Sequence, residues 1–314
     1  MLKKNSRILV AGHTGLLGSS FSRYFKKKKF QNVLNISSKE LDLTRREDVA
    51  SFFSRHKPEY VFLAAGKVAG ILENNQYPAD FIHKNLVIQS NVFEATSKND
   101  TKKLIFFGSS CMYPKKIKQP MIEEYLLNGI PEITSVSYAI AKLSGVYSCL
   151  AYNKQLKKQI FIPLIPNSAY GPNDNFDPDT GHVLSSLIYK FNYAKKYNHN
   201  EVTLWGSGRP RREFVFVDDI VDACIFVIRK NLDYLPLNIG TGNDISIKSL
   251  ANLISKKIGF NGKIYWDDSK PDGAMKKLLN SKKINDLGWK PKISLDSGLD
   301  ITIDWFNKNY DKKA

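Results

Sequence analysis

A short apolar segment near the start of the chain runs directly into three glycines spaced three residues apart, and this pattern limits the fold more than any other. Residues 7–11 predict a buried strand, Gly12, Gly15 and Gly18 follow, and a helix is predicted from there to about residue 28. Glycines at these positions permit a tight turn and let the backbone approach a pyrophosphate at the start of the helix. The pattern predicts a dinucleotide-binding turn, although a plain strand-to-helix turn without a ligand can carry similar glycines.

Predicted strands and helices alternate through the first half of the chain. The further strands are predicted at residues 32–36, 60–64, 103–107 and 159–165, and the helices at 46–55, 78–96 and 138–154. This alternation predicts an α/β fold of the Rossmann type, with a doubly wound parallel sheet and right-handed crossovers.

The alternation breaks after Pro166, which predicts a second region. A helix is predicted at residues 182–197 and a strand at 202–205, whereas residues 214–217 and the helix from 219 are predicted to return to the main sheet. The predicted nucleotide-binding domain is 1–166 plus about 213–242, and the smaller, discontinuous α/β C-terminal substrate domain is about 167–212 plus 243–314.

The charge of the chain narrows its possible partners. The 314 residues carry a formal net charge of +17, but the lysines are spread along the sequence and no nucleic-acid motif accompanies them. No nucleic-acid partner is therefore expected. A positive field of this kind attracts small polyanions such as nucleotides.

The apolar segments and the cysteines indicate the compartment. No segment approaches the roughly 20 apolar residues of a membrane span, and residues 8–12 are too short for the core of a signal peptide. Cys111, Cys149 and Cys224 are odd in number and widely spaced, which predicts reduced thiols and no metal site. Cys149 and Cys224 are predicted to lie in the core. We expect a cytoplasmic protein with no membrane partner.

Ser109, Tyr138 and Lys142 form the pattern with the clearest chemical meaning. A tyrosine four residues before a lysine lies one helical turn from it on the same face, where the ammonium group favours the phenolate and lowers the tyrosine pKa. Ser109 follows an apolar strand and is expected at the sheet edge where open α/β folds bind ligands. The three residues suit polarising a carbonyl and moving a proton to or from its oxygen.

The end of the second predicted strand bears on the choice of dinucleotide. An acidic residue there would bind the ribose 2′-hydroxyl of NAD. The residues are Ser37, Ser38 and Lys39, with no acid before Glu40. Because a lysine and two hydroxyls can hold a 2′-phosphate, the sequence favours NADP(H).

Several strings in both regions carry a family resemblance. They include LAAGKV at 63–68, GSSCMYP at 108–114, YAIAK at 138–142, YGP at 170–172, WGSG at 205–208, REF at 212–214 and NIGTG at 238–242. The chain resembles the GDP-L-fucose synthase subgroup of the extended short-chain dehydrogenase/reductase family nearly end to end. The resemblance implies an NADP-binding Rossmann domain, a smaller GDP-sugar domain and a homodimer.

The resemblance also implies roles for individual residues. The implied catalytic residues are Ser109, Cys111, Tyr138, Lys142 and His182. Those implied for NADPH are Gly12, Thr14, Gly15, Leu16, Leu17, Ser38, Lys39, Asp42, Leu43, Ala64, Ala65, Lys67, Tyr138, Lys142, Pro166 and His182. Those for the GDP-linked sugar are Ser109, Ser110, Cys111, Asn167, Lys190, Trp205, Arg212, Lys270 and Lys277.

The chemistry implied by the resemblance has two stages. The C4 carbonyl of a 4-keto sugar makes the C3 and C5 protons acidic, and Cys111 and His182 act as base and acid on opposite faces of the ring. Reduction at C4 by NADPH follows, with Tyr138 as proton donor and Lys142 tuning it. If the strand before Cys111 stays extended, Cys111 points the same way as Ser109. By residue type alone, Cys111 and His182 are more often structural.

Departures from the family pattern leave two enzymatic alternatives open. Thr14 stands where an arginine is frequent, and Ala169 and Ser185 replace leucine and proline near the sugar. One alternative is a combined 3,5-epimerase and 4-reductase. The other is a C4 reductase without epimerase activity, acting on another GDP-4-keto sugar such as a heptose for a capsule or lipopolysaccharide. A dinucleotide-binding regulator is less consistent with the intact Ser109, Tyr138 and Lys142.

Overall fold

The computed structural model describes residues 2–230, 232, 235–270 and 272–310. Residues 1, 231, 233–234, 271 and 311–314, which the predicted domain limits include, lie outside the described residues. In chain order the strands are β1 (Ile8–Ala11), β2 (Val33–Ile36), β3 (Tyr60–Leu63), β4 (Lys103–Phe107), β5 (Phe161–Pro166), β6 (Ser168–Tyr170), β7 (Glu201–Trp205), β8 (Arg211–Arg212), β9 (Phe214–Phe216), β10 (Leu237–Ile239), β11 (Ile245–Ser246), β12 (Lys263–Asp267) and β13 (Lys276–Lys277).

Helices follow most strands of the first half and cluster again towards the end of the chain. They are α1 (Leu16–Lys27), α2 (Arg46–His56), α3 (Ile71–Gln76), α4 (Pro78–Lys98), α5 (Val136–Leu156), α6 (Val183–Lys196), α7 (Val217–Ile228), α8 (Ile247–Ile258), α9 (Lys282–Asp286) and α10 (Leu295–Asn309). Short 3₁₀ turns occur at Ser110–Met112, Glu123–Tyr125 and Ile133–Ser135.

The main sheet has six strands in the order β10-β5-β4-β3-β1-β2, and its pairings are parallel. Successive strand residues face opposite sides. In β1, Ile8 and Val10 pack towards α1 and α7, whereas Leu9 and Ala11 pack towards α2, α4 and α5. Because helices cover both faces, β1 and β3 are buried along their whole length. The predicted doubly wound Rossmann-type fold is confirmed.

The predicted return of residues 214–217 to the main sheet is wrong. β9 pairs with β6 in a separate two-stranded sheet, and the sixth strand of the main sheet is β10, which pairs with β5. Every residue of β9 is buried. An apolar run indicates that a strand is buried but does not indicate which sheet it joins.

The second half of the chain forms a core of its own beside the main sheet. Leu187 and Phe191 of α6 pack with Leu250 of α8 and Phe306 of α10. Next to this core, β8 lies between β11 and β13 in a three-stranded sheet. The parallel pairing of β13 with β8 sets Lys277 opposite Arg212. Two residues predicted to bind substrate are thereby brought side by side.

Two further sequence expectations concern the interior and the membrane. Cys149 and Cys224 are fully buried, which confirms that they belong to the core. Burial raises the pKa of both thiols. Among the described residues, no helix combines the length and the apolar character that crossing a bilayer requires. The same part of the chain contains no group of three or more His, Cys, Asp or Glu side chains suited to a metal ion.

Candidate active site

The turn after β1 has the close backbone approaches that the glycine pattern predicts. Gly12 has φ +84°, and a Cβ atom there would lie 2.7 Å from the Ala65 nitrogen. A Cβ atom on Gly18 would lie 2.0 Å from the Gly12 carbonyl oxygen. Side chains at these two positions would therefore collide with backbone, so glycine is required at both.

The start of α1 provides hydrogen-bond donors at this turn. Gly15 is the N-cap, and the first turn of the helix contains no acidic residue. The backbone N–H groups of Leu16 and Leu17 have no acceptor within the helix, because the first helical N–H groups have none. Together with the exposed Thr14, they form a surface suited to a pyrophosphate. The residues present thus fit a dinucleotide.

The region after β2 presents a lysine and keeps its acid occupied. Ser38 and Lys39 are exposed. The Glu40 carboxylate accepts hydrogen bonds from the Ser37 hydroxyl at 2.7 Å and the Ser37 N–H at 2.9 Å, which lower the pKa of Glu40. His13 Nδ1 lies 3.1 Å from the Ile36 carbonyl and connects the glycine turn to this strand end. The arrangement is consistent with a 2′-phosphate beside Lys39.

Two other predicted cofactor residues lie just beyond this region. The Asp42 carboxylate accepts hydrogen bonds from the Thr44 hydroxyl at 2.7 Å and its N–H at 2.9 Å. Leu43 is half-buried, and its carbonyl accepts a hydrogen bond from the Asn91 amide. Asp42 therefore shapes the local turn, and contact of these residues with a cofactor stays a prediction.

The loop after β3 places two alanines beside the glycine turn but engages its lysine elsewhere. Ala64 and Ala65 line the side of Gly12. Lys67 Nζ lies 3.1 Å from Glu73 and 3.3 Å from Asp80. Hydrogen bonds from these carboxylates, that of Glu73 first, raise the Lys67 pKa. Lys67 thus holds α3 and α4 to this loop.

Lys142 and Tyr138 project from the first turns of α5. Lys142 is buried, and its Nζ lies 5.0 Å from the centre of the Phe106 ring and 5.9 Å from that of Tyr138. Burial lowers the Lys142 pKa to about 8. A Cβ atom on Gly66 would lie 2.6 Å from the Asn85 Oδ1 and 3.8 Å from this Nζ, so glycine at 66 makes room for the Asn85 side chain beside the lysine.

The expected lowering of the Tyr138 pKa by Lys142 is wrong for this structure. Burial of Tyr138 raises its pKa, the nearby Cys111 raises it further, and a hydrogen bond with Ser109 only partly offsets both. The ammonium of Lys142 lies over the face of the tyrosine ring and is itself desolvated. Tyr138 is therefore a neutral phenol, which makes it a proton donor.

The segment after β4 does not stay extended, so the condition under which Cys111 would point the same way as Ser109 along a strand is not met. Ser109 caps a 3₁₀ turn at Ser110–Met112, and its hydroxyl accepts a hydrogen bond from the Cys111 N–H at 3.2 Å. Ser110 is buried within this turn. The hydrogen-bonded cap still keeps the Cys111 and Ser109 side chains together.

Cys111 lies in surroundings that favour its thiolate. Lys277 Nζ is 3.6 Å from the Cys111 Sγ. Burial raises the Cys111 pKa, but the charge of Lys277 and hydrogen bonds from Ser109, Lys277 and Ser135 outweigh it, so the pKa lies below its ordinary value. Ser135, at the end of a 3₁₀ turn before α5, had no sequence signal.

His182 is found with an acidic partner that the sequence motifs did not identify as functional. It is the exposed N-cap of α6. Asp174 accepts a hydrogen bond from the Ser185 hydroxyl, and burial raises the Asp174 pKa while the charge of His182 opposes this. The Gly70 N–H donates to the Thr180 carbonyl at 3.0 Å, which ties the loop before His182 to α3.

Arg212 belongs to the same electrostatic cluster as Cys111. Its Nη1 donates to the Ala274 carbonyl at 2.6 Å and to the Arg211 carbonyl at 2.8 Å. Burial lowers the Arg212 pKa, and the charge of Cys111 opposes this more than those of Asp272 and Glu132 do. A guanidinium held by backbone carbonyls in this way remains able to bind a phosphate or carbonyl group.

Three other predicted substrate residues, Trp205, Lys270 and Lys190, are exposed or half-buried. Trp205 is 52% exposed, which excludes a core position, and Lys270 Nζ lies 5.8 Å from its ring centre. Lys190 is half-buried on α6, and burial lowers its pKa while Asp179 opposes this. These side chains are accessible to a ligand, and their predicted roles are not tested by the contacts.

Asn167 lies behind the site, among buried polar groups. It is buried, its amide donates to the Glu213 carboxylate and, at 3.4 Å, to the Lys277 carbonyl, and its oxygen accepts from the Ser168 N–H at 3.0 Å. Its amide group is therefore held by the protein, and contact of Asn167 with a substrate stays a prediction. Pro166, the residue before it, is buried in β5.

Comparisons with known proteins extend over the whole chain. A family model, "NAD dependent epimerase/dehydratase family", matches residues 8–240. Putative GDP-L-fucose synthase 2 of Arabidopsis thaliana is 48% identical over 313 residues, covering 100% of this chain and 95% of the relative. GDP-L-fucose synthase of Escherichia coli strain K12 is 42% identical over 315 residues, covering 98% of each protein.

A solved structure is similar as well. A GDP-mannoheptose C4 reductase from Campylobacter jejuni with NADP bound has a TM-score of 0.89 and 37% identity, covering 98% of this chain and 100% of that chain. The motifs quoted from the sequence, the dinucleotide turn and these similarities all agree. The chain belongs to the NAD dependent epimerase/dehydratase family, and the resemblance to GDP-L-fucose synthases is confirmed.

Proposed function

We propose that the protein is an NADP-dependent nucleotide-sugar oxidoreductase that epimerises a GDP-4-keto-6-deoxy sugar at C3 and C5 and then reduces it at C4. The observation that carries the proposal is one cluster of side chains. It joins a thiol of lowered pKa, Cys111, to two hydroxyls suited to a carbonyl oxygen, those of Ser109 and Tyr138. The relatives named GDP-L-fucose synthase support the same reaction.

The dinucleotide turn and its neighbours would hold the cofactor. The Gly12 turn and the N–H groups at the start of α1 would bind the pyrophosphate, and Ser38 and Lys39 the 2′-phosphate. NADPH, when bound, supplies the hydride that reduces C4. Lys142, buried beside Tyr138, would hydrogen-bond the nicotinamide ribose.

The epimerase step needs a base and an acid on opposite faces of the sugar. The Cys111 thiolate would take the proton from the carbon next to the C4 carbonyl, leaving an enolate, and His182 would return a proton from the other face. The Ser109 and Tyr138 hydroxyls would donate hydrogen bonds to the C4 oxygen and stabilise its negative charge. Once the Cys111 thiol has released its proton to water and the exposed His182 has taken one up, the same steps at the second carbon would invert both centres.

The reductive step needs one proton for the C4 oxygen. Tyr138 is a neutral phenol because burial raises its pKa, so it can donate that proton when C4 is reduced. The phenolate left behind would accept the hydrogen bond from Ser109, which is the influence that lowers the Tyr138 pKa. Lys142, whose pKa is about 8, is largely protonated at neutral pH and lies beside the ring. The hydrogen bond between Tyr138 and Ser109 holds the two hydroxyls side by side, where both can reach the C4 oxygen of the substrate.

A reductase of another GDP-4-keto sugar is the second candidate, and two positions favour it. Ala169 and Ser185 are smaller than the residues that the family pattern has there, and the Ser185 hydroxyl binds Asp174 near His182. The similarity to a GDP-mannoheptose C4 reductase supports the same alternative. Synthesis of a capsule or lipopolysaccharide heptose would be its setting.

We propose further that residues 1–166 and about 213–242 bind the cofactor and that the remainder binds the GDP-sugar.

A homodimer is supported by Ile140 and Tyr147, which are two turns apart on α5 and 39% and 40% exposed. The three cysteines are free thiols, which suits the cytoplasm.

Substrate choice is tested by supplying the protein and NADPH with either GDP-4-keto-6-deoxy-mannose or a GDP-4-keto-heptose. The proposal predicts NADPH consumption with the first substrate, at a kcat/KM at least tenfold higher than with the second. Consumption with the heptose alone would instead establish the second candidate. NADPH binding, measured by fluorescence in both cases, shows that the protein is folded.

A further inference from the structure

We propose that Lys277 is a positioning residue for the base, because its ammonium group holds the Cys111 side chain as a thiolate before any substrate arrives. The inference rests on the proposed function in taking Cys111 as the base. The observation behind it is the hydrogen bond from Lys277 Nζ to Cys111 Sγ at 3.6 Å, between residues 166 positions apart in the chain.

The backbone around Lys277 is fixed from two sides. On one side, β13 pairs with β8, and the Leu279 N–H donates to the buried Glu213 carboxylate at 3.0 Å. On the other side, the Leu278 N–H donates to the Gln119 side-chain oxygen at 2.9 Å, and the Leu278 carbonyl accepts from the Met121 N–H at 2.8 Å. The lysine is therefore held over Cys111 and does not reach it from a flexible loop.

Glu213 completes this support. Its carboxylate is fully buried and also accepts hydrogen bonds from the Gly242 N–H at 2.7 Å and from the Asn167 amide. Asn167 in turn donates to the Lys277 carbonyl. Glu213 and Asn167 thus anchor the strand that carries the lysine.

The groups that face the Cys111 thiol come from five segments of the chain. Lys277 of β13 is in contact, Arg212 of β8 is a second cation, and Tyr138 of α5 is a neutral phenol. Ser109 and Ser135 contribute hydrogen bonds. The charges of Asp272 and Glu132 also act on Arg212, whereas the Lys277 ammonium contacts the sulfur. Lys277 is therefore the cation that stabilises the thiolate most directly.

The functional consequence is a base with a larger thiolate fraction at neutral pH than a free cysteine has. A free cysteine has a pKa of about 8.5 and is mostly protonated at pH 7. An ammonium group next to sulfur favours the thiolate, so the Cys111 pKa lies below its ordinary value despite burial. Removing the ammonium leaves burial opposed only by the hydrogen bonds from Ser109 and Ser135, so the Cys111 pKa should rise.

Alkylation by iodoacetamide in the full chain, without substrate or cofactor, tests the inference directly. The thiolate sulfur forms a bond to the CH₂ carbon of the reagent and iodide leaves, so the rate at each pH reports the thiolate fraction. We expect a wild-type midpoint below about 8.5. Lys277→Met should raise it by at least about one unit, which is roughly tenfold slower labelling at pH 7. Lys277→Arg should restore a low midpoint.

Matched variants separate charge from packing. Lys276→Met changes the adjacent residue, whose Nζ pairs with Asp244 at 3.1 Å, and should leave the midpoint unchanged. Lys277→Gln serves if the methionine variant does not fold. Labelling should disappear in Cys111→Ser, because Cys149 and Cys224 are fully buried.

The outcomes distinguish this inference from the proposed function. A Lys277→Met or Lys277→Gln protein with the wild-type midpoint would overturn the inference even if the enzyme epimerises normally. A raised midpoint, rescued by arginine, would support it even in a protein that turns over neither GDP-4-keto sugar, in which case only the proposed function fails.

Discussion

Replacing Tyr138 with phenylalanine is expected to lower the kcat for C4 reduction by at least about 100-fold, the lower end of what a positioned proton donor contributes. The substitution removes only the hydroxyl, and the ring can keep its edge-to-face contact with Phe81 at 6.4 Å. The cofactor site keeps its glycine turn and Lys142. The measurement is NADPH consumption at saturating substrate, with NADPH binding followed separately by fluorescence.

Tyr147→Phe provides the control for this variant. It removes only a hydroxyl two and a half turns further along the same helix and keeps the ring of Tyr147 at the proposed dimer surface, so activity should be unchanged. If Tyr138→Phe retained a substantial fraction of the wild-type kcat, the proton donor would have to be another group, and the role given to Tyr138 would be wrong.

Replacing Cys111 with serine is expected to abolish epimerisation, lowering the exchange of the C3 and C5 protons by about 100-fold or more. A serine hydroxyl is nearly the same size but cannot ionise beside Lys277 in the way a thiol does. Reduction at C4 should persist, because Tyr138, Ser109 and Lys142 are untouched. The measurement is proton NMR of the substrate in D₂O without NADPH, followed by an assay with NADPH.

Cys224→Ala is the matched control for the thiol. Cys224 is a fully buried thiol of α7 on the opposite side of the main sheet from α5, and its loss should leave exchange intact. Exchange at wild-type rate in Cys111→Ser would show that another residue is the base. Loss of reduction together with exchange in a variant that still binds NADPH would contradict the separation of the two steps.

The fold followed from the sequence because local patterns specify it. Strands buried on both faces, such as β1 and β3, appear as continuous apolar runs, and Gly12 and Gly18 mark a turn that no other residue can form. The position of β9 could not be read in this way, since its apolar run would suit either sheet. Which strands pair with each other depends on contacts between segments that are far apart in the sequence.

The sequence predicts which residues belong to the candidate site but not how their surroundings shift their pKa values. Tyr138 and Lys142 are neighbours on α5 as their spacing requires, yet burial and Cys111 determine the tyrosine pKa, and neither is visible in the spacing. Lys277 reaches Cys111 only because Glu213 and Asn167 fix β13, and these contacts join segments far apart in sequence. Family strings predict the residues of the site, whereas three-dimensional contacts determine the surroundings of their ionisable groups.

The combined epimerase and reductase activity is tested most directly by incubating the protein in D₂O with NADPH and GDP-4-keto-6-deoxy-mannose and analysing the product by proton NMR. The cluster of Cys111, Ser109 and Tyr138, with His182 as the acid, predicts GDP-fucose that carries deuterium at both C3 and C5. A reduced product with no deuterium at either carbon would contradict this prediction and would leave a C4 reductase alone.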